Sequence, residues 1–205
     1  MSEESGYVTV TYSYQLPTPV PVMVTVSYTV RPDGTILIQA KYPGSPNLPE
    51  LPVFGLSFRV KAKYHRFRWY GMGPDENYID RVHGARLGIF ESTAQENLSQ
   101  YIVPQECGNR TGVRWAQVTA DKGLGLRFVA VDAPFELGVL PYTPFELENA
   151  LHREELPEPN YTVINIMAKQ MGVGGDDSFG APVHDEYCIS SEQPLEVSFL
   201  LNVCS

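Results

Sequence analysis

An all-β fold, a large antiparallel β-sandwich (supersandwich) with one short helix, follows from three observations. Apolar and polar residues alternate through several short runs, clusters of turn residues separate those runs, and one segment alone carries the start signals of a helix. The strand–helix alternation of a Rossmann fold or a TIM barrel is absent, as are internal repeats and low-complexity segments. A chain of 205 residues can bury a sizeable core as one domain spanning residues 1–205.

Residues 7–13 alternate Tyr and Val with Thr and Ser, and residues 20–30 repeat the pattern, so both are expected as half-buried strands. Residues 15–21 break them apart. Arg31-Pro32-Asp33-Gly34 has proline and glycine where a tight turn needs them, so 22–30 and 35–42 are expected to pair as a hairpin. The Pro-rich stretch 43–52 reads as a crossing loop before a strand at 53–60. From 82 to 100 the apolar period weakens, which predicts a long irregular connection. Strand patterns return at 112–119, 124–131, 161–168 and 195–203, with a turn at Asp121-Lys122-Gly123. The helix is expected over 144–152, with Thr143 as N-cap, Pro144 at the first helical position and Glu146 closing a capping box.

Composition excludes several functions. A formal charge of −9 argues against nucleic acid as partner. The local basic run Lys61, Lys63, Arg66, Arg68 alternates with Ala62, Tyr64 and Phe67, as a strand with one solvated face would. Cys107, Cys188 and Cys204 lack the spacing of a disulfide framework or zinc site and read as reduced, structural thiols. The first residues lack the basic and apolar regions of a signal peptide, and no apolar run reaches the ~20 residues that span a bilayer. A cytoplasmic location with no membrane partner is expected. Matches to the glycosylation sequon at Asn97, Asn109 and Asn160 then carry no weight.

The stretch 172–182, Gly-Val-Gly-Gly-Asp-Asp-Ser-Phe-Gly-Ala-Pro, concentrates chemistry-bearing residues. Glycine lets a ligand approach the main chain, adjacent carboxylates accept hydrogen bonds or bind a cation, and an aromatic ring can stack on a sugar face. The residues alone also admit a tight turn in which Asp176 and Asp177 cap local amides.

Four motifs, in order, resemble the C-terminal β-sandwich (small-chain) domain of glycoside hydrolase family 2 β-galactosidases. They are Trp69-Tyr70-Gly71-Met72-Gly73-Pro74-Asp75-Glu76-Asn77-Tyr78-Ile79-Asp80-Arg81; then 101–106 with Gly108, Arg110 and Val113-Arg114-Trp115; then Tyr142-Thr143 through Glu146-Leu147 and His152; and lastly residues 171–183. The likeness runs from Tyr28 to the end.

That resemblance implies a part of an enzyme rather than a whole one. Glycoside hydrolysis needs two carboxyl groups about 5 to 9.5 Å apart. Asp176 and Asp177 are neighbours whose side chains would diverge in an extended stretch, and Glu76 with Asp80, or Glu146 with Glu148, reads as caps or solvated charges. In the family the catalytic acid and nucleophile lie on a separate barrel, together with its magnesium and sodium ions; no catalytic residue and no cofactor or metal ligand is expected in this chain. Its implied partners are that barrel, the remaining domains and a galactoside such as lactose, with self-association as a further possibility. The aromatic position that the family aims at the sugar pocket corresponds to Phe179, where well-known members carry tryptophan. The smaller ring implies weaker or altered aglycone binding. Asp176 and Asp177 would support the loop. Trp69 and Tyr70 read as packing around a sharp turn, Asp80 and Arg81 as an ion pair, and His83 and His184 as hydrogen-bonding loop residues. The strong motifs begin close to Met1, so the first part of the family domain is expected to be missing. A free-standing carbohydrate-binding module and the natural small subunit of a two-chain β-galactosidase remain as alternatives.

Overall fold

The tight connection predicted at Arg31–Gly34 is present: Arg31 N donates to Thr35 O at 2.9 Å, Gly34 N to Arg31 O at 3.0 Å, and the Asp33 carboxylate accepts from Thr35 N. Gly34 has φ +82°, a left-handed conformation that glycine adopts without a side-chain penalty. The turn joins β3 (Val22–Val30) to β4 (Ile36–Tyr42), and β2 (Tyr7–Leu16) pairs with the other side of β3. In this computed structural model of the chain, residues 2–4, 6–177 and 180–205 are described; β1 (Ser2–Glu4) pairs with β2. Ser178 and Phe179 lie outside the described residues.

The other strands are β5 (Val53–Lys61), β6 (Arg66–Gly73), β7 (Arg86–Thr93), β8 (Arg110–Val113), β9 (Trp115–Thr119), β10 (Gly125–Ala130), β11 (Phe135–Leu140), β12 (Tyr161–Gln170) and β13 (Leu195–Cys204). They form a nine-stranded sheet, β1-β2-β3-β4-β13-β10-β9-β6-β7, and a four-stranded sheet, β5-β12-β11-β8. Every pairing among these strands is antiparallel. The expected sandwich is therefore the observed fold. Its core lies between the sheets, where Phe67, Trp69, Phe128, Phe135, Phe199, Leu137 and Ile164 are all but fully buried. Burying side chains of this size contributes roughly 1.5–3 kcal/mol each.

Several boundaries differ from the sequence reading for physical reasons. The stretch 112–119 is two strands: β8 belongs to the small sheet and β9 to the large one, and Arg114 is the corner, its N–H donating to Tyr70 O and its carbonyl accepting from Ala130 N. The connection after residue 82 is not irregular throughout, because β7 pairs with β6 from Arg86 to Thr93. That strand sits at the sheet edge, so it carries little burial pattern. β11 escapes the sequence pattern for the opposite reason: all six of its residues are buried, so no alternation marks it. The basic run is interrupted, with β5 ending at Lys61 and β6 starting at Arg66.

The helix α1 spans Pro144–Asn149, shorter than 144–152, with Pro144 in its first turn. The capping box is as expected: Thr143 Oγ1 accepts from Glu146 N at 3.2 Å, and the Glu146 carboxylate accepts from Thr143 N at 2.8 Å. Ala150 leaves helical geometry, and a separate 3₁₀ turn follows at Arg153–Glu155. Leu147 packs with Cys107, Leu140 and Tyr142 in a small second cluster. No described helix is long and apolar enough to cross a membrane.

Candidate functional site

Trp69–Gly73 forms the end of β6, and the sharp turn expected beside these aromatic residues follows directly, at Gly73–Pro74. Trp69 is 1% exposed, stacks on Phe67 with ring centroids 4.9 Å apart, and donates from Nε1 to Met72 O. The Arg110 guanidinium covers its ring at 4.9 Å. Burial lowers the Arg110 pKa to about 10, against the upward pull of Glu76. The chain then turns at Gly73–Pro74, which is a cis peptide, and leads into Asp75–Arg81.

Glu76 is the hub of a largely buried polar cluster. Its carboxylate accepts from Gly108 N at 2.7 Å, from Ser99 Oγ at 2.9 Å and from the Tyr101 hydroxyl, and Arg81 lies 3.4 Å away. Burial pushes the Glu76 pKa up, but the Tyr101, Gly108 and Ser99 hydrogen bonds outweigh it and leave the group below its ordinary value. It is neither a helix cap nor a solvated charge: its side chain is 11% exposed. Next to it Asn77 Oδ1 accepts from Thr111 N and Oγ1, and Asn109 Nδ2 donates both to Asn77 O and to the Glu136 carboxylate at 2.7 Å. Asn97 Nδ2 bridges Gly108 O and Val139 O. Burial raises the Glu136 pKa to about 7, with Asn109 and the Gln170 amide opposing.

Asp80 does not pair with Arg81, which binds Glu76 and donates to the Tyr101 hydroxyl instead. The Asp80 carboxylate reaches the glycine-rich stretch: Oδ2 accepts from Val173 N at 2.8 Å and from Gly174 N at 2.7 Å. Oδ1 is enclosed and has no partner among the described residues. The fit is close, because a β-carbon at Gly172 would lie 2.8 Å from the Asp80 carboxyl, and one at Gly175 would lie 2.2 Å from Ala181 O. Glycine is required at both positions by lack of space. The far side of the loop closes on itself: Asp177 Oδ1 accepts from Ala181 N at 3.3 Å, and Asp176 Oδ1 lies 2.8 Å from His184 Nε2. That carboxylate holds the His184 imidazole above its ordinary range.

The structure thus joins two motifs that lie 93 residues apart in the chain, Asp80 and the Val173 amide, with Gly174 beside it. It brings Asp176 to His184 and Asp177 to a local amide. Glu146 is taken up by its cap and by the Tyr161 hydroxyl at 2.5 Å. Phe179 lies outside the described residues, so no geometry is assigned to its ring. Among the described residues no group of three or more His, Cys, Asp or Glu is arranged to hold a metal ion. Sequence reasoning missed the Asn77–Asn109–Glu136 chain, since three polar residues at unrelated spacings carry no periodic signal.

Known proteins share this sequence along nearly its whole length. The family described as beta galactosidase small chain matches residues 1–201. The chain belongs to that family. This small-chain family member is 48% identical over 205 residues to a β-galactosidase of Halalkalibacterium halodurans, covering 98% of this chain and 20% of that protein. A β-galactosidase of Streptococcus thermophilus is 41% identical over 198 residues, covering 97% and 19%. The β-galactosidase small subunit of Latilactobacillus sakei is 41% identical over 207 residues, covering 96% of this chain and 64% of that subunit. The small-chain region seen here therefore spans about a fifth of the longer relatives.

Proposed function

We infer that this chain is the small-chain part of a β-galactosidase that hydrolyses terminal β-galactosides such as lactose, and that residues 172–182 complete the aglycone side of its sugar pocket. Membership of the small-chain family, and similarity to proteins named β-galactosidase and β-galactosidase small subunit, support the enzyme context. The observation that carries the loop's part is the grip of Asp80 on the Val173 and Gly174 amides. A loop held at its base by a carboxylate from a different motif is a preorganised platform, which a stacking residue needs in order to act without first being ordered. The resemblance to glycoside hydrolase family 2 supplies that residue, Phe179, and assigns the catalytic carboxylates and the magnesium and sodium ions to a barrel partner.

The test has two arms. The purified chain alone is expected to leave a nitrophenyl β-galactoside intact, and turnover by it would overturn the reading. In the complete enzyme, Phe179→Ala is expected to raise KM for lactose about 3- to 10-fold, the worth of one aromatic contact, with a smaller change in kcat. An unchanged KM removes Phe179 from the pocket. Calorimetric binding of lactose by the isolated chain, abolished in Phe179→Ala, would point instead to a self-sufficient binding module. The match to a named small subunit favours a second form of the same reading, a two-chain enzyme. A continuous upstream reading frame encoding a barrel would exclude it.

A further inference from the structure

The two sheets are unequal, and the mismatch is concentrated at one end. Strand β5 lies over β4, β12 over β13 and β8 over β6, so β1, β2 and β3 project past the edge of the four-stranded sheet. Residues on the inner side of β2 are left uncovered: Tyr12 is 51% and Tyr14 49% exposed. Their rings gather with Tyr28, at 6.3 Å from Tyr12 to Tyr14 and 6.1 Å from Tyr12 to Tyr28. Facing them is β5, whose one strand partner among the described residues is β12. Between the overhang and this edge runs a cavity of about 780 Å³, lined among others by Tyr14, Leu16, Tyr28, Phe54, Leu56 and Met167. Phe54 and Leu56 reach it from the inner face of β5, while Ser57 and Asn165 reach it from the outer face, so it wraps round the strand edge.

An unpaired edge presents a row of N–H and C=O groups, and a neighbouring strand sits about 4.8 Å away. A strand there would fall inside the cavity, with alternate side chains against Tyr14 and Tyr28, whose rings pack on Tyr12. We propose that β5 is the docking edge for an added β-strand supplied by β-galactosidase polypeptide outside residues 1–205, with apolar residues at every second position. This rests on the reading of the chain as part of a β-galactosidase. Length supports that occupant: the Latilactobacillus small subunit has 36% of its length (100 − 64) beyond the match, and the Halalkalibacterium enzyme 80% (100 − 20). A second copy fits poorly. Antiparallel pairing of β5 with its own copy about a two-fold axis would drive the overhanging β1–β3 of both molecules into the same space.

The experiment compares the 205-residue chain with a chimera in which it replaces the matching segment of the Halalkalibacterium β-galactosidase, by amide hydrogen exchange of residues 53–61. Exchange in the chimera is expected to slow about 100-fold or more relative to the isolated chain, and Tyr12→Asp/Tyr14→Asp, exposed enough to leave the fold intact, should restore fast exchange. Equal exchange in both proteins would overturn the proposal. So would protection in the isolated chain that grows with its concentration, since the occupant would then be a second copy. Slow exchange in a chimera without galactosidase activity upholds the docking edge and counts against the functional reading; activity with an unprotected β5 does the reverse. If the chimera does not fold, the strand aligned with β5 in the intact Halalkalibacterium enzyme gives the same readout.

Discussion

Glu76 and Asp80 lie one helical turn apart in sequence and serve two different regions. Glu76 is turned inward, where Gly108, Ser99, Tyr101 and Arg81 surround it and the connected Asn77, Asn109 and Glu136 stitch the turn after β6 to the four-stranded sheet. Asp80 is turned away from that cluster and holds two amides of a largely exposed glycine-rich loop. One motif therefore builds a rigid seat and also reaches out to position what is mounted on it. An acidic residue in a functional motif is thus classified by what it accepts from, since the two carboxylates are alike in chemistry and opposite in consequence.

The largest effect should come from the inward region. Glu76→Ala removes one acceptor that serves three donors and is expected to cost roughly 2–4 kcal/mol in urea unfolding, because Gly108 N and the Arg81 charge lose their partner. A loss below about 0.5 kcal/mol would mean that Glu76 is as peripheral as Asp80 and would erase the contrast.

Glu136 sharpens the contrast through pH. Its folded pKa of about 7 lies above the ordinary value of 4.5, so the folded chain binds this proton more tightly than the unfolded chain. The favourable contribution is complete below about 4.5, declines as pH rises through 7 and is gone above that. Glu136→Gln, which keeps an acceptor for Asn109, should leave stability at pH 5 nearly unchanged and raise it at pH 8 by roughly 2–3 kcal/mol relative to the parent chain. A stability difference that stays flat between those two pH values would show that the carboxylate is not buried in charged form.

Asp80→Ala should act locally. Global stability is expected to fall by less than about 1 kcal/mol, while amide exchange at Val173 and Gly174 accelerates about 10-fold or more, as each loses its acceptor. If global stability fell as far as in Glu76→Ala, the loop would belong to the core. The smallest effect is Asp176→Asn, which should lower the His184 pKa towards its ordinary value in an NMR titration while leaving unfolding midpoints unchanged. An unmoved His184 pKa would dissociate the pair.

Much of the frame was legible from local pattern. The hairpin at Arg31–Gly34, the capping box of Thr143 and Glu146, and the half-buried strands β3 and β4 follow from turn chemistry and alternation that act over a few residues. β7 and β11 were not legible, the first because an edge strand buries little and the second because a wholly buried strand has no alternation. In the candidate site, the sequence marked 172–182 and the Trp69–Arg81 motif separately and cast Asp176, Asp177 and His184 as loop residues. It paired Asp80 with the wrong partner, since adjacency of opposite charges carries no information on which way either side chain points.

The amino-acid order was enough to specify the all-β class, the strand-and-turn grammar and, through its motifs, the kinship with the β-galactosidase small chains. Periodicity and turn preference are local, so they survive without the rest of the fold. It took the folded chain to establish that Asp80 holds the glycine-rich loop, that Glu76 is an interior acceptor, and that among the described residues nine strands meet four and leave β5 with an open edge. Those are contacts between segments far apart in the chain. Their partners are chosen by sheet order and packing, which no single stretch of residues encodes.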